Sequence, residues 1–280
     1  DIVQQQPALL LAQAWIHYYH YNYGLIPAVL DRTESLLSNR PHRQPLSGEI
    51  NLFKGIAFIF KGDGARSLKY IEDALEQIPE AHHYTRGISD TFWGVAGQMQ
   101  GQKERVVAKL TDLLHNQPLT DVRKIRVMGA LVLVYIVAGE LTFAFSLSQQ
   151  LKRFAISINS NHYSAWSSYF LGLIHFCRNE LDMAIDHLSQ TTELGYTILR
   201  RAIVDCLGGM ALAYQAKQQT DKATASIKRL NEYIQSIDDP ALLDIAHSFA
   251  ARLSLMRNDT VAWDLSLQRA RDSLQDRFAA

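Results

Sequence analysis

"WSSYFLGLIHFCRNELDMAIDHLSQTTEL" (residues 166–194) contains the pattern that decides the fold. Its first half is an apolar run of helical length that stops at Arg178-Asn179. Asn is one of the few residues that accept the left-handed conformation of a helix C-cap. A polar Glu180 follows, and then a second run whose apolar residues recur at helical spacing. The stretch therefore reads as two helices joined by a tight turn. Neither helix is long enough to bury its apolar face alone, so the question is what covers them.

The same turn recurs along the chain. Gly24 closes "WIHYYHYNYG" (15–24), Gly62 lies in "FKGDGA", Gly101 in "MQGQKE" and Gly139 in "VAGELTFA". Asn179 is followed by Gln218 in "AKQQTDKA" and Asn258 in "MRNDTVA". The steps are 38, 39, 38, 40, 39 and 40 residues. Gly55 and Gly94 keep the same interval, as do Pro79 and Pro118. After each turn an acidic or polar residue opens the next helix, which is amphipathic: in "ARSLKYIEDALEQIP" (65–79), Leu68, Ile71, Leu75 and Ile78 share one stripe. Pro41, Pro79, Pro118 and Pro240 fall between units, where a helix must stop. Strand signals are nearly absent. The expected fold is all-α: a right-handed superhelical α-solenoid of about seven hairpins with a period of ~39 residues, each stack covering the apolar face its neighbour leaves bare. The units run approximately over 8–42, 46–80, 84–118, 120–158, 160–195, 198–238 and 241–278 of one domain, 1–280.

Composition narrows the function. The chain has 280 residues, 48% of them hydrophobic and 20% charged, so it is expected to fold. Lys+Arg and Asp+Glu balance at 28 each, which argues against a dedicated nucleic-acid binder. No apolar run approaches the ~18 residues of a membrane-spanning helix. The two cysteines, Cys177 and Cys206, suit a reducing cytoplasm better than a disulfide scaffold. The chain opens "DIVQQQP" without an initiator Met, as a piece of a longer protein would. There is no G-x-x-x-x-G-K phosphate loop, no H-E-x-x-H and no G-x-S-x-G, so no enzyme activity, cofactor or metal is expected. The helix expected over Trp15–Tyr23 holds His17 and His20 three apart, but no further ligand follows at helical spacing before Asp31. Packing is preferred there over ligand contact, and either over a metal. His82 and His83 in "EAHHYTRG" (80–87) diverge by ~100° on a helix, so an inter-unit loop or helix start is expected.

The stretch 166–194 resembles a tetratricopeptide (TPR) repeat: Leu171-Gly172 matches its Leu-Gly pair, Ala184 its small residue in the second helix, and Leu188 the large apolar residue four later. TPR units usually span 34 residues, so these are longer by about five. Longer units of this kind resemble the sensor region of the ATP-dependent, LuxR-family transcription activators of the maltose-regulator (MalT) type. "PALLLAQAWIHYYHYNYG" (7–24) looks like the start of that region, and "LSGEINLFKGIAFIFKGDGARSLKYIEDALEQIP" (46–79) like its second unit. The resemblance implies a non-enzymatic domain that binds a small-molecule inducer or a regulatory protein or peptide, with an ATPase module before it and a DNA-binding module after it. The alternative is a plain scaffold that binds a peptide or helix. No direct contact with nucleic acid or membrane is expected. The first helix is too apolar for a free end, so either an upstream segment covers it or two copies meet there as a homo-oligomer.

In TPR arrays the second, fifth, ninth and twelfth residues of each first helix face the concave groove. Counted back from the turns, those slots include Tyr18, Tyr21, Glu49, Gln98, Arg126, Trp166, Tyr169, Asp205 and Arg252. Aromatic walls with a few placed polar groups describe a ligand site, though each aromatic is also a candidate for inter-helix packing. Arg126 and Asp205 rank higher, because an inward charge is costly unless paired or bound.

Overall fold

The computed structural model describes residues 6–20, 22–37, 44–194, 198–237 and 242–279. Within them are fourteen α-helices and no strand. The helices are α1 (Pro7–Tyr19), α2 (Ile26–Leu37), α3 (Gln44–Phe60), α4 (Gly64–Gln77), α5 (His83–Met99), α6 (Lys103–Asn116) and α7 (Asp121–Val137). They continue with α8 (Leu141–Ser157), α9 (Asn161–Cys177), α10 (Leu181–Glu193), α11 (Arg200–Ala216), α12 (Thr220–Ile237), α13 (Leu243–Met256) and α14 (Thr260–Ala279).

Six of the seven expected turn residues sit in the left-handed region: Gly62, Gly101 and Gly139, and also Asn179, Gln218 and Asn258, with φ between 58° and 75°. Each reverses the chain within a few residues, so the helices on either side lie against each other as a hairpin. At Gly139, for example, the amide donates to Ile136 O and the next amide, of Glu140, to Tyr135 O. Asp63 and Asp259 then cap the following helices, their carboxylates accepting from Arg66 N and Ala262 N. Glu140 and Glu180 make no such cap. Their longer side chains reach sideways instead, to Lys103 and to His175.

The first hairpin departs from expectation. α1 ends at Tyr19, not Tyr23, and Gly24 lies in a 3₁₀ turn, Tyr23–Leu25, without a positive φ. Lacking the left-handed reversal, α1 and α2 are not closely paired, and α2 packs on α3 instead. A seventh left-handed residue, Asn159 (φ 52°), ends α8 between hairpins, a place that Pro79 and Pro118 hold in the two preceding units. Pro41 and Pro240 lie outside the described residues.

The helices gather into two compact units, one of residues up to Tyr18 with Leu25–Asn159, the other of Tyr19–Gly24 with the chain from Ser160. Within each unit a second helix packs on the first helix of the hairpin that follows it there, as α4 does on α5 and α10 on α11. The core of the first unit holds Leu68 and Ile71 from α4, Trp93 and Ala96 from α5, Val106 and Leu110 from α6, and Val127, Leu131 and Val134 from α7. In the second unit Leu212, Ala223 and Leu253 form such a cluster. Close approach is allowed by small residues: a Cβ at Gly172 would meet the Leu188 side chain at 2.6 Å, which accounts for the Gly and Leu of the repeat signature together.

Candidate functional site

In the first unit the helices α1, α3 and α5 share a row of aromatic side chains, which α7 closes with an arginine. Trp15 of α1 packs edge-on against Phe53 of α3 (ring centroids 4.7 Å apart) and Tyr84 of α5 (6.0 Å). Tyr18 touches Phe53 (6.5 Å) and Phe92 of α5 (6.1 Å). The row ends where the Arg126 guanidinium of α7 lies 4.3 Å from the centre of the Tyr84 ring. Gly87 makes room for it, since a Cβ there would stand 2.6 Å from Arg126 Cδ. Polar groups are placed along this row. The Trp15 indole N–H donates to Glu49 Oε2 at 2.9 Å. Burial pushes the Tyr84 phenol above its ordinary value, against the opposing charge of Arg126. Phe53 and Tyr18 are buried and form the floor, whereas Tyr84 is 41% exposed. The row thus combines an aromatic wall, a cation and a carboxylate.

Three of the residues chosen from the sequence, Tyr18, Glu49 and Arg126, meet in this row. Gln98 does not join it; its Oε1 is buried with no hydrogen-bond partner among the described residues. Tyr21 lies outside the described residues. Trp15, Phe53, Tyr84 and Phe92 were not singled out by slot counting. Trp15 and Phe53 stand three and four residues from the slots at Tyr18 and Glu49, on the same helix faces, so widening those slots by one turn would have found them.

In the second unit Trp166, Tyr169 and Asp205 come together. Trp166 packs on Tyr169 (5.5 Å) and Phe170 (5.6 Å) along α9. The Tyr169 hydroxyl donates to Asp205 Oδ2 on α11 at 2.9 Å, and Arg201 Nε donates to Asp205 Oδ1 at 3.0 Å. Burial, with the Asp205 carboxylate beside it, raises the Tyr169 phenol well above its ordinary value. Asp205 is therefore paired, and the trio ties α9 to α11. Arg252 is exposed on α13, its guanidinium 5.8 Å from the Phe249 ring of its own helix. Cys206 is buried and Cys177 exposed, both as free thiols.

Stacked hairpins with signature glycines at the helix crossings define a TPR-like helical-repeat protein. Residues 48–278 match the family described as the MalT-like TPR region, and the chain belongs to that family. Among curated relatives, it is 28% identical over 109 residues to the HTH-type transcriptional regulator MalT of Yersinia enterocolitica (serotype O:8) and 26% identical over 108 residues to that of Yersinia pestis. Each alignment covers 38% of this chain and 12% of the regulator, so the chain spans a small part of those relatives' length. Among solved structures, it resembles the Rap conjugation gene regulator of plasmid pLS20, in complex with the Phr* peptide. The TM-score is 0.59 at 14% identity, covering 99% of this chain and 95% of that one. It also resembles a Podosopora anserina kinesin light chain with nearly identical TPR-like repeats, with a TM-score of 0.50 at 15% identity over 71% of this chain and 99% of that one.

Proposed function

We propose that this chain is the non-enzymatic sensing region of a bacterial LuxR-family regulator of the MalT type, and that it binds a small-molecule inducer or a regulatory peptide or protein along the first-helix face. The observation that carries this reading is the aromatic row across α1, α3 and α5, flanked by Glu49 and by Arg126 of α7. Family membership and the relatives' description as transcriptional regulators support it. A ligand bridging several first helices would favour one arrangement of the stack over others, by its differential affinity for them. That is how a repeat array could report occupancy to modules elsewhere in a regulator.

A scaffold that holds a peptide or helix without signalling is the second reading. The observation favouring it is the likeness of fold to a regulator solved with a peptide. Titration of the chain with candidate metabolites and peptides, followed by the fluorescence of Trp15, tests both. A saturable change that Tyr84→Ala and Arg126→Gln each weaken supports binding at the row. No saturable change with any candidate, together with no partner recovered in a pull-down, overturns it. Small molecules alone giving the change favours the inducer reading, and peptides alone the scaffold.

A further inference from the structure

A second site lies in the first unit, where the segments between hairpins meet. A cavity of about 500 Å³ opens there between the end of α4 and helices α5, α6 and α7. Its wall carries Arg86, Lys109 and Arg123 against the carboxylates of Asp90 and Glu80, with Leu75, Leu113 and Leu119 as its apolar part. The volume is that of a small-molecule pocket, and its wall is mixed, with charged and polar side chains facing a leucine-lined side.

The roles of the charged groups differ. Asp90, 2% exposed, accepts from Arg123 Nε at 2.9 Å, and Arg123 is itself almost fully covered. That pair is structural. Arg86 holds the carbonyls of Leu75 and Ile78 at the end of α4, and its buried Nε–H finds no acceptor among the described residues. Lys109 makes no ion pair closer than 4 Å among the described residues and rests 4.1 Å over the Trp93 ring. Burial lowers the affinity of both Lys109 and Arg86 for their protons, as expected where cations have too little counter-charge.

Glu80 differs from the rest. Its side chain is 72% exposed, on the segment between α4 and α5, yet its two oxygens are held separately by two guanidinium groups: Arg86 Nη2 at 2.7 Å and Arg123 Nη1 at 2.7 Å. A carboxylate gripped by two arginines at the mouth of a cavity is a bound carboxylate that happens to belong to the protein. An exposed side chain loses little on leaving such a position, because water replaces its partners.

We infer that this cavity binds a small organic carboxylate, whose carboxylate group displaces Glu80 from Arg86 and Arg123 and whose body reaches inward toward Lys109. Glu80 is then an internal competitor that supplies part of the site's counter-charge. The seat suits a planar two-oxygen group because each oxygen meets one guanidinium. The site stands apart from the aromatic row and does not depend on it.

The test uses the 280-residue chain and glutarate as probe, in calorimetric titration, with inorganic phosphate and dimethyl glutarate as comparisons. Glu80→Gln removes the competing charge from an exposed side chain and is expected to tighten glutarate binding on the order of ten-fold, by making the competent state the resting one. Lys109→Met, which keeps the stem over Trp93, is expected to weaken it. Arg126→Gln is expected to leave it unchanged, which separates this site from the aromatic row. The diester is expected not to bind. The inference is overturned if the Glu80→Gln protein shows no saturable binding of glutarate, or if Lys109→Met folds and binds as before. Phosphate binding as tightly as glutarate would overturn the choice of a carboxylate. Should Lys109→Met fail to fold, Leu113→Phe, which narrows the cavity from its apolar side, replaces it as the loss-of-binding arm.

Discussion

At the scale of single residues, burial decides which charges are fixed and which are available. Asp90 and Arg123 sit one above the other on α5 and α7, both out of solvent. A buried pair of this kind is worth little relative to an apolar pair, but removing one partner strands the other. Arg123→Met is therefore expected to destabilise the chain by about 3–5 kcal/mol. Adding Asp90→Asn should recover part of that loss, with urea denaturation at neutral pH as the measurement. In the second unit the Cys206 thiol and the Tyr169 phenol both have their ionised forms disfavoured by burial, with the Asp205 carboxylate adding to it. The ordinary values are 9.0 and 10.0, so the unfolded chain releases these protons first. Stability supplied by the neutral forms is thus complete below about pH 9 and declines as pH rises further. Tyr169→Phe together with Cys206→Ala is expected to flatten that alkaline decline in a melting-temperature series. In the native protein a thiol reagent should modify Cys177 promptly and Cys206 only after unfolding, because one is exposed and the other buried.

At the scale of the element, the turn residue controls whether two helices become a hairpin. Gly139 has φ 75° and a Cβ there would meet nothing within 4 Å, so its substitution tests backbone conformation alone. Gly139→Ala is expected to cost about 1–2 kcal/mol, the penalty of a left-handed L-residue. The reverse change at Gln218, which holds φ 60° with a side chain, is expected to stabilise. Thermal melts of the two variants against the parent should move in opposite directions. These turns were legible in the sequence because a left-handed cap is a local demand that few residue types meet. Gly24 was misread for the same reason: glycine at the right interval permits that conformation without requiring it, and the longer segment after Tyr19 turns as a 3₁₀ helix instead.

At the scale of the molecule, stability in a repeat array is a sum of units and their neighbour contacts, so damage should stay near its origin. Leu110 of α6 is fully buried in the core of the first unit. Leu110→Ala is expected to cost about 2–5 kcal/mol. Hydrogen exchange followed by mass spectrometry should show protection lost across α4–α7 and retained in α9–α12. Equal loss throughout would mean that the two compact units unfold as one.

The sequence by itself determined the all-helical fold and where six of the turns between paired helices fall. Those features depend on neighbours a few residues apart, and periodicity repeats the signal along the chain. Tertiary structure alone decided which side chains meet. Trp15 finds Glu49, Arg123 finds Asp90 and Tyr169 finds Asp205 at separations of 34, 33 and 36 residues. Each joins matching helices of adjoining hairpins, but at an offset that the ~39-residue period does not predict. That offset depends on how far each helix is rotated and slid when its ridges settle into its neighbour's grooves. The same settling puts Glu80 across two arginines and opens a charged cavity behind it, from residues that look in the sequence like an ordinary solvated loop and helix start.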